Sequence, residues 1–169
     1  MKLSRRDRSL LGVLILFSLW NYLVYFRGMR FFLVPSASME PTLKPGDKVI
    51  TFRTKEINRG DLVVFINPLD KKEILVKRVI ALPGETISIK DGKVFINGVY
   101  LYEPYIKNPP AYYLPPIKIP EGYYFVLGDN RNNSEDSSVY GPIPRKLIRG
   151  KDVFIYWPPS RWGKISGSK

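Results

Sequence analysis

The stretch Phe31-Phe32-Leu33-Val34-Pro35-Ser36-Ala37-Ser38-Met39-Glu40-Pro41-Thr42-Leu43-Lys44-Pro45-Gly46-Asp47 decides how the chain is read. Four apolar residues run into Pro35, and a residue that precedes proline is pushed toward extended geometry. Phe31–Val34 therefore reads as a strand arriving at a rigid corner. Ser36 and Ser38 follow, one residue apart, and Pro41 and Pro45 restrict the loop from the other side. A serine held in this way is either a turn residue or a nucleophile.

The rest of the chain bears on that choice. A nucleophilic serine needs a base within hydrogen-bond reach. The protein contains no histidine and no cysteine. That excludes a Ser-His-Asp triad, a thiol mechanism and His or Cys ligands for zinc. The base that remains is a lysine kept neutral by burial. Lys77 fits, because it lies inside the apolar run Ile74–Leu82, where a charge is costly.

Further motifs lie along the chain in a fixed order: Ser38-Met39 with Pro41-Thr42-Leu43, Gly46-Asp47, Gly60–Phe65, Lys77-Arg78-Val79, Asn97-Gly98, Glu103-Pro104-Tyr105, and Gly128-Asp129-Asn130-Arg131 followed by Ser134 and Asp136-Ser137. In this order they resemble the type I signal peptidases, membrane-bound serine endopeptidases with a Ser-Lys dyad. The resemblance runs from about Val34 to Gly141.

The resemblance implies roles residue by residue. Ser38 is the nucleophile and Lys77 the general base. The Ser38 backbone N–H and the Ser36 hydroxyl form the oxyanion donors, and the Ser134 hydroxyl orients the lysine amine. Arg78 and Asp129 form a supporting salt bridge. Asp136 resembles a family aspartate whose partner is an arginine two residues later; this chain has Ser138 there, a departure that leaves Asp136 without its usual partner. Val34, Met39, Leu43, Leu75 and Val76 line the substrate pockets. The substrate is the signal peptide of an exported preprotein, held extended by strand addition, and neither a metal nor any other cofactor is required.

A formal net charge of +12 suggests an anionic partner. No nucleic-acid motif is present, so membrane lipid is the expected partner and nucleic acid is not. The N-terminus supports this. Residues 1–8 are basic, and Ser9–Phe26 carries no charge, about the minimum length for a membrane-spanning helix. A cleaved signal peptide has a shorter apolar core and a small-residue cleavage site; here Arg27-Gly28-Met29-Arg30 follows instead. Residues 1–30 are thus expected to be a cytoplasmic N-terminus and a single-pass anchor in the cell (inner) membrane. Basic residues are denser before the helix, which puts the catalytic domain on the outer, extracytoplasmic face.

Residues 31–169 are expected to form the catalytic domain. Strand signals fall at Lys48–Phe52, Leu62–Ile66, Ile74–Leu82, Thr86–Lys90, Lys93–Asn97, Tyr123–Leu127 and Val153–Trp157. Asp91-Gly92 marks a tight hairpin. Tyr100–Pro120, rich in proline and tyrosine, reads as a short extended flap, and Pro158–Lys169 as a loose tail. The predicted fold is mostly β: a barrel-like domain of short antiparallel strands after one transmembrane helix.

Two other readings compete. One is a specialised processing peptidase of the conjugative-transfer type with the same dyad. The other is a non-catalytic, membrane-tethered β-domain that binds an acidic partner. Self-cleaving repressor proteases share the dyad but carry a DNA-binding domain, and the apolar N-terminus argues against them.

Overall fold

The computed structural model describes residues 5–22, 24 and 28–165. A helix, α1 (Arg5–Asn21), precedes the strands β1 (Arg30–Leu33), β2 (Lys48–Phe52), β3 (Leu62–Ile66), β4 (Ile74–Ala81), β5 (Thr86–Lys90), β6 (Lys93–Ile96), β7 (Val99–Tyr100), β8 (Leu114–Lys118) and β9 (Tyr123–Leu127). A short helix, α2 (Ser137–Tyr140), leads to β10 (Ile143–Pro144), β11 (Ile148–Trp157) and β12 (Gly163–Lys164). The β-branched and aromatic runs therefore became strands close to their expected bounds, except the last, which was expected from Val153 and begins at Ile148. The β5–β6 hairpin turns on Asp91 and Gly92, with φ of 51° and 71°. A tight turn of this hand needs positive φ at both central residues, which the Asp-Gly pair supplies.

The larger sheet runs β1-β2-β11-β3-β4-β9-β10, with β12 paired to β11; the smaller runs β7-β6-β5-β8. All the pairs are antiparallel. The expected barrel is not closed. Its outer strands, β1 and β10, do not pair with each other. β10 spans two residues and one of them is Pro144, which has no N–H to donate to a closing ladder.

β3 is buried along Leu62–Phe65, with side chains covered on both faces. One core cluster joins the two sheets through Ile80, Phe125 and Leu127 on one side and Ile87, Ile89 and Ile96 on the other. A second gathers Val34, Met39, Leu43, Val49, Leu62 and Ile155 beneath the Ser38 loop.

Two expected irregular segments are ordered. Within the expected flap, Leu114–Lys118 pairs with β5 as β8, and Leu114 and Ile119 are buried. β8 is an edge strand, the position where Pro115 and Pro116 cost no ladder bond on the outer side. The expected loose tail folds back through β12, and Arg161 reaches Asp47 at 3.1 Å and donates to the Thr42 carbonyl at 2.9 Å. Residues 166–169 lie outside the described residues.

The expected transmembrane helix is a correction. Among the described residues no helix is long and apolar enough to cross a membrane. α1 has 17 residues and opens on Arg5, Arg6, Asp7 and Arg8. At about 1.5 Å per residue it is shorter than the ~30 Å hydrocarbon core. Part of the end of the expected span, residues 23, 25 and 26, lies outside the described residues.

Candidate active site

The loop after β1 is closed at its base by two backbone bonds. The Val34 N–H donates to the Asp47 carbonyl and the Gly46 N–H to the Val34 carbonyl, both at 2.9 Å. The Asp47 carboxylate accepts from the Lys44 N–H at 2.8 Å. At the head of the loop Ala37–Met39 forms a 3-10 turn, and Met39 plugs it into the core beneath. Ser38 is thereby half-buried on a tight turn whose apolar neighbour cannot move.

β4 brings Lys77 to this turn. Its Nζ lies 2.6 Å from Ser38 Oγ, a hydrogen bond between residues 39 apart in sequence. Lys77 is 2% exposed, and burial pushes its pKa down to about 8. The carboxylates of Asp136, Glu73, Glu135 and Asp129 oppose that shift. The sequence showed no carboxylate beside Lys77; the fold supplies four, and desolvation still wins. Ser36 Oγ is 3.2 Å from Ser38 Oγ. Among the described residues no group of carboxylates is arranged to hold a metal ion.

Ser134 reaches the same place without the expected contact. It lines one cavity with Ser36, Ser38, Lys77, Glu73 and Glu135, yet among the described residues its buried Oγ has no hydrogen-bond partner. A bond to the lysine amine is therefore not made in this state. An ideal Cβ on Gly128 would sit 2.3 Å from Ser134 Oγ and 2.4 Å from the Ser38 carbonyl oxygen. The loop after β9 thus packs directly on the Ser38 turn, and only glycine fits. Gly128→Ala is expected to displace Ser38 and lower the peptide-cleavage rate by on the order of 100-fold, the cost of a misplacement near 1 Å. Steady-state kinetics on the folded variant checks this; an unchanged rate would show that the two loops need no such approach.

Asn130 completes the clamp. Its backbone N–H donates to the Ser38 carbonyl and its Nδ2 to the Ala37 carbonyl, both at 3.1 Å. Neither contact was expected from the sequence, although Asn130 stood inside a quoted motif.

The expected Arg78–Asp129 pair is present and buried. Arg78 Nε donates to Asp129 Oδ1 at 2.8 Å and Nη2 to Oδ2 at 2.7 Å. Arg78 Nη1 also donates to the Gly60 carbonyl at 2.9 Å, and the Tyr105 ring stacks on the guanidinium at 3.9 Å. The Thr42 hydroxyl adds a bond to Asp129 at 2.5 Å. With its donors and acceptors matched, such a pair can be buried without leaving an unpaired charge. Next to it, Arg131 donates through both terminal nitrogens to Glu103 at 2.7 Å, and Tyr105 donates to Glu103 at 2.6 Å. Thr42, Glu103, Tyr105 and Arg131 were visible as motif residues; which of them meet was not.

Asp136 is fully buried and holds the start of α2. Its Oδ1 accepts from the Ser138 N–H at 3.0 Å and the Ser138 hydroxyl at 2.7 Å, and its Oδ2 from the Gly128 N–H at 2.9 Å. Ser138 therefore takes over as the partner that an arginine provides in the family pattern.

A cleft of about 120 Å³ opens beside Ser38, lined by Phe32, Val34, Met39, Ile74, Leu75 and Val76 among others. Four of the expected pocket residues, Val34, Met39, Leu75 and Val76, belong to it. Leu43 does not. It is wholly buried in the core under the loop, because the chain turns inward there and the Leu43 N–H donates to the Met39 carbonyl at 2.9 Å. Both walls of the cleft are strand segments with a free edge. β1 is the outer strand of its sheet, and β4 pairs with β9 only from Arg78 onward.

Comparison with known proteins agrees with the motif order. The family described as "Signal peptidase, peptidase S26" matches residues 8–157. The chain is 41% identical over 155 residues to a probable signal peptidase I of Synechocystis, an alignment covering 81% of this chain and 78% of that one. It is 39% identical over 144 residues to thylakoidal processing peptidase 1 of Arabidopsis thaliana, covering 76% of this chain and 42% of the plant protein. A crystal structure of a signal peptidase I from Enterococcus faecalis superposes with a TM-score of 0.53 at 32% identity, over 59% of this chain and 98% of the other. With a family match that extends over most of its length, this chain belongs to the signal peptidases of peptidase family S26.

Proposed function

We propose that the protein is a serine endopeptidase that removes signal peptides from exported preproteins with a Ser38–Lys77 dyad. The observation that carries this reading is the 2.6 Å contact between Ser38 Oγ and a lysine whose pKa burial lowers to about 8. Neutral Lys77 takes the Ser38 proton as Oγ attacks the scissile carbonyl. The Ser38 N–H and Ser36 hydroxyl stabilise the oxyanion. The Lys77 ammonium then returns the proton to the leaving amine, and an ester joins Ser38 to the signal-peptide end. Lys77 next deprotonates a water that hydrolyses the ester. Ser134, buried beside the lysine with a free hydroxyl, is the group to orient the amine once substrate moves it.

The two free strand edges flanking the cleft suit an extended peptide added between β1 and the first half of β4. The small volume of the cleft and the bulky side chains of Phe32, Met39 and Leu75 admit only small residues next to the cut. A peptide ending its signal in Ala-x-Ala is expected to be cleaved, and phenylalanine in place of either alanine to lower kcat/KM by at least about tenfold, the scale of a steric mismatch in a shaped pocket. Equal rates for all three peptides would remove the cleft from substrate selection.

Membrane lipid is the proposed surrounding of α1. Its residues Leu10, Leu11, Val13, Leu14, Ile15, Leu16, Phe17, Leu19 and Trp20 are all exposed, so the helix is apolar around its circumference with little packed against it. Such a surface is stable in an apolar medium and not in water.

A further inference from the structure

Away from the cleft, a second cavity of about 500 Å³ is lined by Arg30, Arg53, Thr54, Arg145, Lys146, Ile148 and Arg149. It shares no residue with the cavities around Ser38. The residues come from three stretches of the sequence. Register explains why they meet: Arg30 at the start of β1 pairs with Thr51 near the end of β2, and Lys151 near the start of β11 pairs with Phe52. Arg53, Arg145 and Arg149 therefore gather at one end of a single sheet.

Among the described residues five cations line this cavity and no carboxylate does. Among the described residues none of the five forms an ion pair, whereas Arg59, Arg78, Arg131, Lys151 and Arg161 elsewhere each have a carboxylate. Arg145 is directed by a hydrogen bond from its Nη2 to the Thr54 carbonyl. Like charges brought together without counter-charge repel one another, and an anion in the cavity relieves this. Planar guanidinium groups match the oxygens of a phosphate.

Position indicates which phosphate. Gly28, two residues before β1, packs against Arg53. Trp20 near the end of α1 stacks on Phe31, the neighbour of Arg30, with ring centroids 6.3 Å apart. The cavity thus lies where the apolar helix joins the domain. We propose that it is a binding site for the phosphodiester headgroup of an anionic phospholipid, which docks the domain at the bilayer. This rests on the reading that α1 lies in lipid.

The test uses the full chain and vesicles of phosphatidylcholine with or without phosphatidylglycerol, and reads the ratio of the two partition coefficients by flotation. Arg53 and Arg149 are exposed and, among the described residues, make no side-chain hydrogen bond, so Arg53→Gln/Arg149→Gln is expected to preserve the fold. At roughly fivefold per basic residue near a charged surface, that variant should lose on the order of 25-fold in the ratio. Lys90→Gln/Lys93→Gln, an equal change of charge on the remote β5–β6 hairpin, should leave it within about twofold of wild type. Equal losses in both variants would mean diffuse attraction, and overturn the site. Displacement of wild type by inorganic phosphate, but not by sodium chloride at matched ionic strength, would make it a site for free anions and overturn the lipid assignment. A wild-type ratio near one overturns this proposal alone. Failure to bind either vesicle overturns both it and the lipid reading of α1.

Discussion

Ser38→Ala is expected to lower peptide cleavage by on the order of 10⁴- to 10⁶-fold, the range seen when a serine nucleophile is removed from a protease. The loss should fall on kcat, with KM nearly unchanged. The cleft walls are made by Phe32, Val34, Met39 and Leu75, and the alanine leaves them in place. Stability should hardly move. Ser38 is half-buried, and the substitution removes one hydroxyl while the Ser38 carbonyl still accepts from the Asn130 N–H. Lys77 Nζ loses its hydrogen-bond partner, but the neighbouring Ser36 and Ser134 hydroxyls line the same cavity. A mechanism-based acylating probe should label wild type at Ser38 and leave the variant unlabelled. Processing by a correctly folded Ser38→Ala protein at near wild-type rate would exclude the dyad and favour another nucleophile.

The pH dependence of kcat/KM should report Lys77. Only the neutral amine accepts a proton, so activity rises with pH as the ammonium is lost. With a pKa of about 8, the neutral fraction climbs roughly tenfold per pH unit below that value and levels off above it. An exposed lysine would place the same rise more than two units higher, near ~10.4. Lys77→Arg should be inactive throughout, because guanidinium stays protonated. Stability offers a second readout with a definite sign. The folded pKa lies below the unfolded value of 10.5, so between about pH 8 and pH 10.5 the unfolded chain binds more protons than the folded one. Stability therefore increases with pH across that window, and the cost of holding an ammonium in place is fully present below pH 8. Lys77→Met should be inactive yet more stable than wild type at neutral pH, and its melting temperature should lose that part of the pH dependence. Substantial cleavage by Lys77→Arg, or a melting profile for Lys77→Met that rises with pH as steeply as wild type, would separate Lys77 from the chemistry assigned to it.

Local chemistry determined much of this protein before any folding is considered. Asp91-Gly92 can do little but turn a hairpin, and the short apolar run Leu62–Ile66, rich in β-branched residues and bounded by turn residues, fits a strand covered on both faces. The absence of histidine and cysteine left a buried lysine as the base for Ser38, and the order of short motifs pointed to the family. These are statements about single residues and their neighbours in the chain, which sequence carries directly.

Tertiary structure decided what depends on distance. Leu43 and Val34 look alike in the sequence and share one core cluster, yet only Val34 also lines the cleft. Asn130 clamps Ala37 and Ser38 across some 90 residues, and Glu103 meets Arg131 across 28. Prolines in Leu114–Lys118 argue against a strand locally, but an edge position removes the objection, and only the sheet order reveals the edge. Closure of a barrel fails for a reason of the same kind, since it requires the two outer strands to find each other, and β10, two residues long with Pro144 as one of them, pairs with β9 but not with β1. The pKa of Lys77 is the sharpest case. Desolvation and four distant carboxylates pull it in opposite directions, and which one wins is settled by burial in three dimensions, a quantity that no local stretch of sequence contains.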